Sequence, residues 1–264
     1  MSKQLKKSNP EPEKTMKKIL ILQMRPEDET CQSEFEAILK VGQIDRENAV
    51  QVRVEQLDRF DLDLNDYSAI IAGGSPFDVS SREYKKSEVQ KNVEAFFSDL
   101  FDQVIPLDFP FLGICSGNGL LGNYYGTNIS RRYGEGIGSV TINLSEEAEK
   151  DPLLSGLPKE FLALVGHKEA CDEVPANAVL LASSVTCPVQ MFRIKNNVYA
   201  VQFHPEGDEE EFILRIEVYK NHGYFPPEQA NELISALKDV QTPVSKEILR
   251  RFVSRYHHLR IIKA

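Results

Sequence analysis

Residues 109–119 read Phe109-Pro110-Phe111-Leu112-Gly113-Ile114-Cys115-Ser116-Gly117-Asn118-Gly119, and the fold is decided there. The apolar run up to Ile114 suits a strand covered on both faces of its sheet. It passes directly into Gly113-Ile114-Cys115-Ser116-Gly117, the form of a nucleophile elbow with cysteine in place of serine. A residue on so tight a strand-to-helix turn is backbone-strained, and flanking glycines let the chain fold closely around it. A helix beginning at Ser116 aims its unpaired N–H groups and positive dipole end at the sulfur. This leads us to expect a lowered thiol pKa and an oxyanion donor at the Ser116 amide.

Outward from this stretch, strands alternate with helices. Upstream, 18–23, 50–54 and 67–72 read as strands, and 87–104 carries Val89, Val93, Phe96, Phe97 and Leu100 at helical spacing. Phe35, Ile38 and Leu39 mark an earlier helix. Downstream, short strand-like runs follow at 139–144, 161–165, 179–182, 188–194 and 198–203, then a helix at 209–222. Such a pattern implies a mostly parallel sheet flanked by helices, with an antiparallel portion beside it. Beyond Pro226-Pro227, two helical stretches (228–240 and 245–260) read as an appended extension. The expected division is a disordered polar tail at 1–16, one domain at 17–225 and a C-terminal helical extension at 226–264.

The 264 residues carry 31 Lys+Arg against 40 Asp+Glu, a net charge of −9. That sign argues against nucleic acid or an anionic membrane as the main partner. No apolar run reaches the ~20 residues of a membrane helix, and no h-region follows the basic N-terminus, so a cytoplasmic location is expected. The sequons at Asn128 and Asn143 then carry no weight. Cys31, Cys171 and Cys187 lack metal-ligand spacing and read as small apolar fillers, with no metal expected. His222 fits a helix end, and His257-His258 among Arg250, Arg251, Arg255 and Arg260 reads as a solvated basic face.

A nucleophilic thiol needs a base, and the base an orienter. Val201-Gln202-Phe203-His204-Pro205-Glu206 offers both at the end of a buried strand. Extended backbone before Pro205 puts residues i and i+2 on one face, so Glu206 can hold the His204 imidazole. A third element, Gly73-Gly74-Ser75-Pro76, is a glycine-rich turn after the 67–72 strand, on the side where open α/β sheets bind ligands.

These three segments, in this order, resemble the class I glutamine amidotransferases, whose members include the glutaminase part of GMP synthetase. Gly166-His167-Lys168-Glu169 and Cys187-Pro188-Val189-Gln190-Met191-Phe192 are softer matches, and the likeness covers roughly 17–222. It implies a flavodoxin-like α/β fold, Cys115 as nucleophile, His204 as base, Glu206 as orienter, and an oxyanion hole from the backbone of Gly74 and Ser116. Substrate contacts would fall to Gly73, Ser75, Asn118, Gly119 and His167. The family elbow usually continues Gly-x-Gln, where this chain has Gly119. That departure opens the substrate to γ-glutamyl amides other than glutamine, unless Asn118 takes over the missing amide.

The implied activity is cleavage of a γ-glutamyl amide through a Cys115 thioester, with no cofactor. If ammonia is the product, a separate synthetase subunit must receive it. A degenerate module that binds a partner is the rival, with the C-terminal helices as a docking or homodimer surface. A related fold in which the elbow cysteine handles aldehydes or oxidants fits less well, since there the histidine follows the cysteine directly.

Overall fold

The computed structural model describes residues 17–57, 62–221 and 225–257. The expected tail at 1–16, His222, His258 and Arg260 lie outside them. In chain order the elements are β1 (Lys18–Gln23), α1 (Asp28–Gly42), β2 (Ala49–Arg53), β3 (Tyr67–Ala72), α2 (Glu88–Leu107), β4 (Phe111–Ile114) and α3 (Ser116–Tyr124). Then come β5 (Ile129–Ser130), β6 (Glu135–Leu144), β7 (Glu160–His167), β8 (Ala170–Cys171), β9 (Ala178–Ser183), β10 (Met191–Ile194) and β11 (Val198–Val201). The chain closes with α4 (Glu209–Tyr219), α5 (Ala230–Leu237) and α6 (Pro243–Tyr256).

Among the described residues, nine strands form one sheet in the order β2-β1-β3-β4-β11-β10-β9-β6-β7. The first five are parallel, in the 2-1-3-4-5 order of flavodoxin-like folds with β11 in fifth place. The last four are antiparallel, as the short downstream runs imply. Alternation along β1 sets the two layers. Ile19 and Ile21 face a core that includes Phe35 and Ile38 of α1 and Phe252 of α6. Leu20 and Leu22 face the opposite one, with Phe97 and Phe101 of α2 and Leu121 of α3.

Helix boundaries have local causes. The Ser87 hydroxyl accepts from Gln90 N at 3.1 Å to start α2, and Asp208 accepts from Glu211 N at 3.1 Å to start α4. The C-terminal helices pack against the rest of the chain. Ile248, Leu249 and Phe252 of α6 are wholly buried in the core they share with β1, and α5 lies against α4 and β6. Among the described residues no helix is long and apolar enough to cross a membrane.

Candidate active site

β4 stops at Ile114 because Cys115 takes φ 52° and ψ −97°, a conformation side chains rarely adopt, and α3 begins at the next residue. A Cβ at Gly113 would lie 2.8 Å from the backbone carbon and oxygen of Gly117, so the elbow closes only with glycine there. Cys115 N donates to Val201 O at 2.8 Å, which ties the elbow to the end of β11. Three residues beyond β11 comes His204, fixed by its own N–H to Leu164 O at 2.9 Å.

His204 Nδ1 pairs with Glu206 Oε1 at 2.7 Å, both residues being buried. Arg215 of α4 donates from Nη2 to the same Glu206 oxygen at 3.0 Å. Its Nη1 lies 2.9 Å from Nδ1 and 3.2 Å from Nε2 of His204. A near-equal approach to both ring nitrogens is that of a cation over the ring rather than a donor to one lone pair. Burial first, then Arg215, holds the His204 pKa down at about 4 despite Glu206. Although burial opposes it, His204 and Arg215 draw Glu206 down to about 2.

Behind these groups lie Arg25 and Glu34, paired at 2.9 Å and almost wholly buried, and Glu211, ion-paired with Arg215. Burial raises Glu211 to about 7, against the pull of Arg215. Sequence reasoning missed Arg25, Glu34, Glu211 and Arg215, since no spacing rule joins residue 34 to 74 or 215.

Cys115 stands between two narrow cavities. The first, about 30 Å³, is walled by residues including Ser75, Ser116, Gly119, Gly166, His167, Lys168 and Glu169. The second, about 20 Å³, is walled by Arg25, Ser75, Gly166, His204, Phe212, Arg215 and Tyr219 among others. Cys115, Ser75 and Gly166 line both, and His204 only the second. The thiol and the ring share that wall without a hydrogen bond; the polar neighbour of the sulfur is Gln202 Nε2 at 3.9 Å.

Several expectations need correction. Burial pushes the Cys115 thiol up to about 11, outweighing Arg25 and Arg215, so the resting group is a thiol and not the thiolate expected of the helix N-terminus. Gly74 N donates to Glu34 Oε1 at 3.0 Å, and Ser75 N to Ser116 Oγ at 2.8 Å, so both turn amides are already engaged. Gly73 N donates to Leu22 O at 2.9 Å, and a Cβ on this residue would strike the Glu34 carboxylate. Asn118 is wholly buried and accepts from Cys171 Sγ at 3.3 Å, away from both cavities, so it does not replace the missing glutamine. Beside Gly119 the space is open, the nearest atom to an added Cβ being Val79 Cγ2 at 3.8 Å.

His167 reaches the first cavity, but its ring nitrogens are turned to Glu135 Oε2 at 2.8 Å and Glu169 O at 3.0 Å. Glu135, His167 and Cys187 bring ligand-type atoms within 4.8 Å of one another, a set able to hold a metal ion. Glu135 already accepts from Gln190 at 2.7 Å and Ser184 at 3.1 Å, and this cluster serves as a buried hydrogen-bonded support.

Fold and site together define an α/β protein with a cysteine elbow at the carboxyl edge of a parallel sheet. The chain belongs to the class I glutamine amidotransferases, whose family model (Glutamine amidotransferase class-I) matches residues 37–221. A glutamine-hydrolysing GMP synthase subunit from Thermoplasma volcanium is 36% identical over 115 residues, 43% of this chain and 54% of that protein. The corresponding subunit from Sulfurisphaera tokodaii is 33% identical over 159 residues, 60% of this chain and 76% of that one. The matched stretch thus spans about half the length of the Thermoplasma protein. It spans only 27% of the GMP synthase of Borrelia garinii, 32% identical over 156 residues and 58% of this chain. In fold, a glutamine amidotransferase from Thermotoga maritima superposes with TM-score 0.72 at 20% identity, covering 91% of this chain and 99% of that one.

Proposed function

We propose that the protein hydrolyses a γ-glutamyl amide through a thioester on Cys115. The observation that carries this reading is the convergence, on one cavity, of the elbow cysteine and His204, whose Nδ1 is held from behind by Glu206 at 2.7 Å. With a thiol of pKa about 11 and an imidazole of about 4, the resting pair is neutral. Proton transfer from sulfur to His204 therefore accompanies attack on the amide carbon, and Glu206 stabilises the imidazolium as it forms.

The S–C bond forms, the C–N bond breaks, and the nitrogen leaves with the proton held by His204. Water then attacks the thioester, giving one proton to His204 and on to the sulfur, and the acid departs. The Ser116 amide, first of α3, meets the oxyanion. A second donor comes from the Gly74–Ser75 turn once substrate draws an amide from its present acceptor. In the first cavity Lys168 and Asp78, paired at 2.7 Å, and Glu169 offer the charges that suit the ammonium and carboxylate of a glutamyl group. Where glutamine is the amide, the ammonia passes to a separate synthetase chain; the Thermoplasma and Sulfurisphaera relatives are themselves named as subunits of a synthase.

Release of ammonia or amine from glutamine and from γ-glutamyl alkylamides tests this, alongside labelling of Cys115 by a glutamine-like chloroketone. Cys115→Ala is expected to lose turnover and labelling by at least about 10³-fold while its unfolding transition is kept. Turnover that survives in the variant sinks the reading. No turnover on any amide, with no labelling, favours a partner-binding module.

A further inference from the structure

The cavity on the far side of Cys115 is lined unlike a passage for ammonia. Its wall carries two guanidiniums, Arg25 and Arg215, together with Tyr219 and the apolar Ile137 and Phe212. The carboxylates that hold those guanidiniums in place, Glu34, Glu206 and Glu211, are absent from its lining. The charged groups presented to the cavity are therefore the two guanidiniums, with their three carboxylate partners standing behind them. Arg25 is fixed through Nε to Glu34 at 2.9 Å and through Nη1 to Tyr219 Oη at 3.3 Å. Its Nη2 lies against Gly74, where an added Cβ would meet that nitrogen at 2.6 Å and His204 Cε1 at 3.4 Å. Arg25 Nη2 and the edge of the His204 ring thus face the same point beside Gly74.

Direction follows from the same geometry. Cys115 separates the two cavities and His204 lines only the second, so the leaving nitrogen departs toward Arg25 and Arg215. We propose, on the hydrolase reading above, that this second cavity seats a carboxylate carried by the leaving group, so that the favoured substrates are γ-glutamyl-α-amino acids, with Arg25 as the residue that selects them. In an α-amino acid the carboxylate is two bonds from the nitrogen, so it reaches Arg25 while the nitrogen is still beside His204. The cavity is narrow, about 20 Å³, so it takes only a small group such as a carboxylate, with its wall giving way, and an amino-acid side chain projects beyond it. Arginine suits this task because its charge is permanent and, with Nε and Nη1 bound to Glu34 and Tyr219, Nη2 is the donor turned toward Gly74. The chemical step is unchanged: the C–N bond breaks, the free amino acid departs with the proton from His204, and water resolves the thioester.

Rates on γ-glutamylglycine and γ-glutamylglycinamide, nearly equal in size and differing in the charge of the leaving group, decide the matter without mutation. The acid is expected to exceed the amide in kcat/KM by about tenfold or more, the worth of a charge-assisted hydrogen bond. In Arg25→Gln the ratio of the two is expected to fall to within about threefold, and in Arg25→Lys to stay between these values. Equal rates in the wild-type protein, or glutamine turned over as fast as γ-glutamylglycine, overturn the proposal and leave the hydrolase reading standing. A ratio unchanged in a folded Arg25→Gln protein removes Arg25 as the selecting residue. Absence of turnover on every one of these amides removes both readings together.

Discussion

Two glycines of the elbow, six residues apart, should respond oppositely to the same added methyl group. At Gly113 the new Cβ meets the Gly117 backbone at 2.8 Å and Phe111 Cε1 at 3.0 Å, and a backbone neighbour in a buried turn has nowhere to go. Gly113→Ala should therefore cost about 1–3 kcal/mol of overpacking in urea unfolding, and tilt α3 away from its place beside β4. Gly119 lies inside α3 with open space before it, so Gly119→Ala should gain about 0.4–1 kcal/mol by narrowing the unfolded ensemble. Matching signs at the two sites would contradict the elbow geometry. Cys115, His204 and Glu206 were legible because each motif is local: a strand end, a glycine pair, an i+2 relation. Glu34 was not. It lies on α1, forty residues before the Gly74 amide it binds, and its role exists only once β1 and β3 stand side by side.

Among the elements, the parallel strands were readable because burial on both faces leaves an unbroken apolar run, as in β1 and β3. β5 and β8 were not, since two residues carry no period. β10 starts at Met191, three residues later than the apolar run 188–194 suggests, and its pairing with β9 shifts register between Met191 and Phe192. The sequence marks α6 as part of the extension beyond the two prolines at 226–227, but not what it packs on. Ile248, Leu249 and Phe252 recur on one helix face and fill the layer with α1 and β1, and the Phe252 ring stands edge-on to Tyr199 of β11 at 6.4 Å. Phe252→Ala should then cost about 3–5 kcal/mol in denaturant unfolding, as for a ring deleted from a core. A loss under about 0.5 kcal/mol would show instead a helix resting on a finished domain.

For the molecule as a whole, the buried charges around His204 dictate how stability follows pH. Unfolding free energy rises with pH wherever the unfolded chain binds more protons, by at most about 1.4 kcal/mol per pH unit for each group. His204 is held at about 4 against an ordinary 6.5, chiefly by burial. Between those values the unfolded chain keeps the proton, so His204 makes stability climb with pH. Glu206, drawn to about 2 from 4.5, does the same lower down, its contribution complete above 4.5 and lost as the pH falls toward 2. Glu211 works the other way: raised by burial to about 7, it keeps its proton in the folded chain from 4.5 upward and makes stability fall across that range. From pH 4.5 to 6.5 the His204 and Glu211 slopes oppose each other, so between them they add little slope to the wild-type curve. Glu211→Gln removes one of the two, and stability in the variant should climb with pH more steeply than in the parent through that window. Urea midpoints for both proteins across that range decide it, since a variant curve that stays level would mean that His204 keeps its proton in the folded chain, and the neutral resting pair on which the catalytic reading depends would be gone.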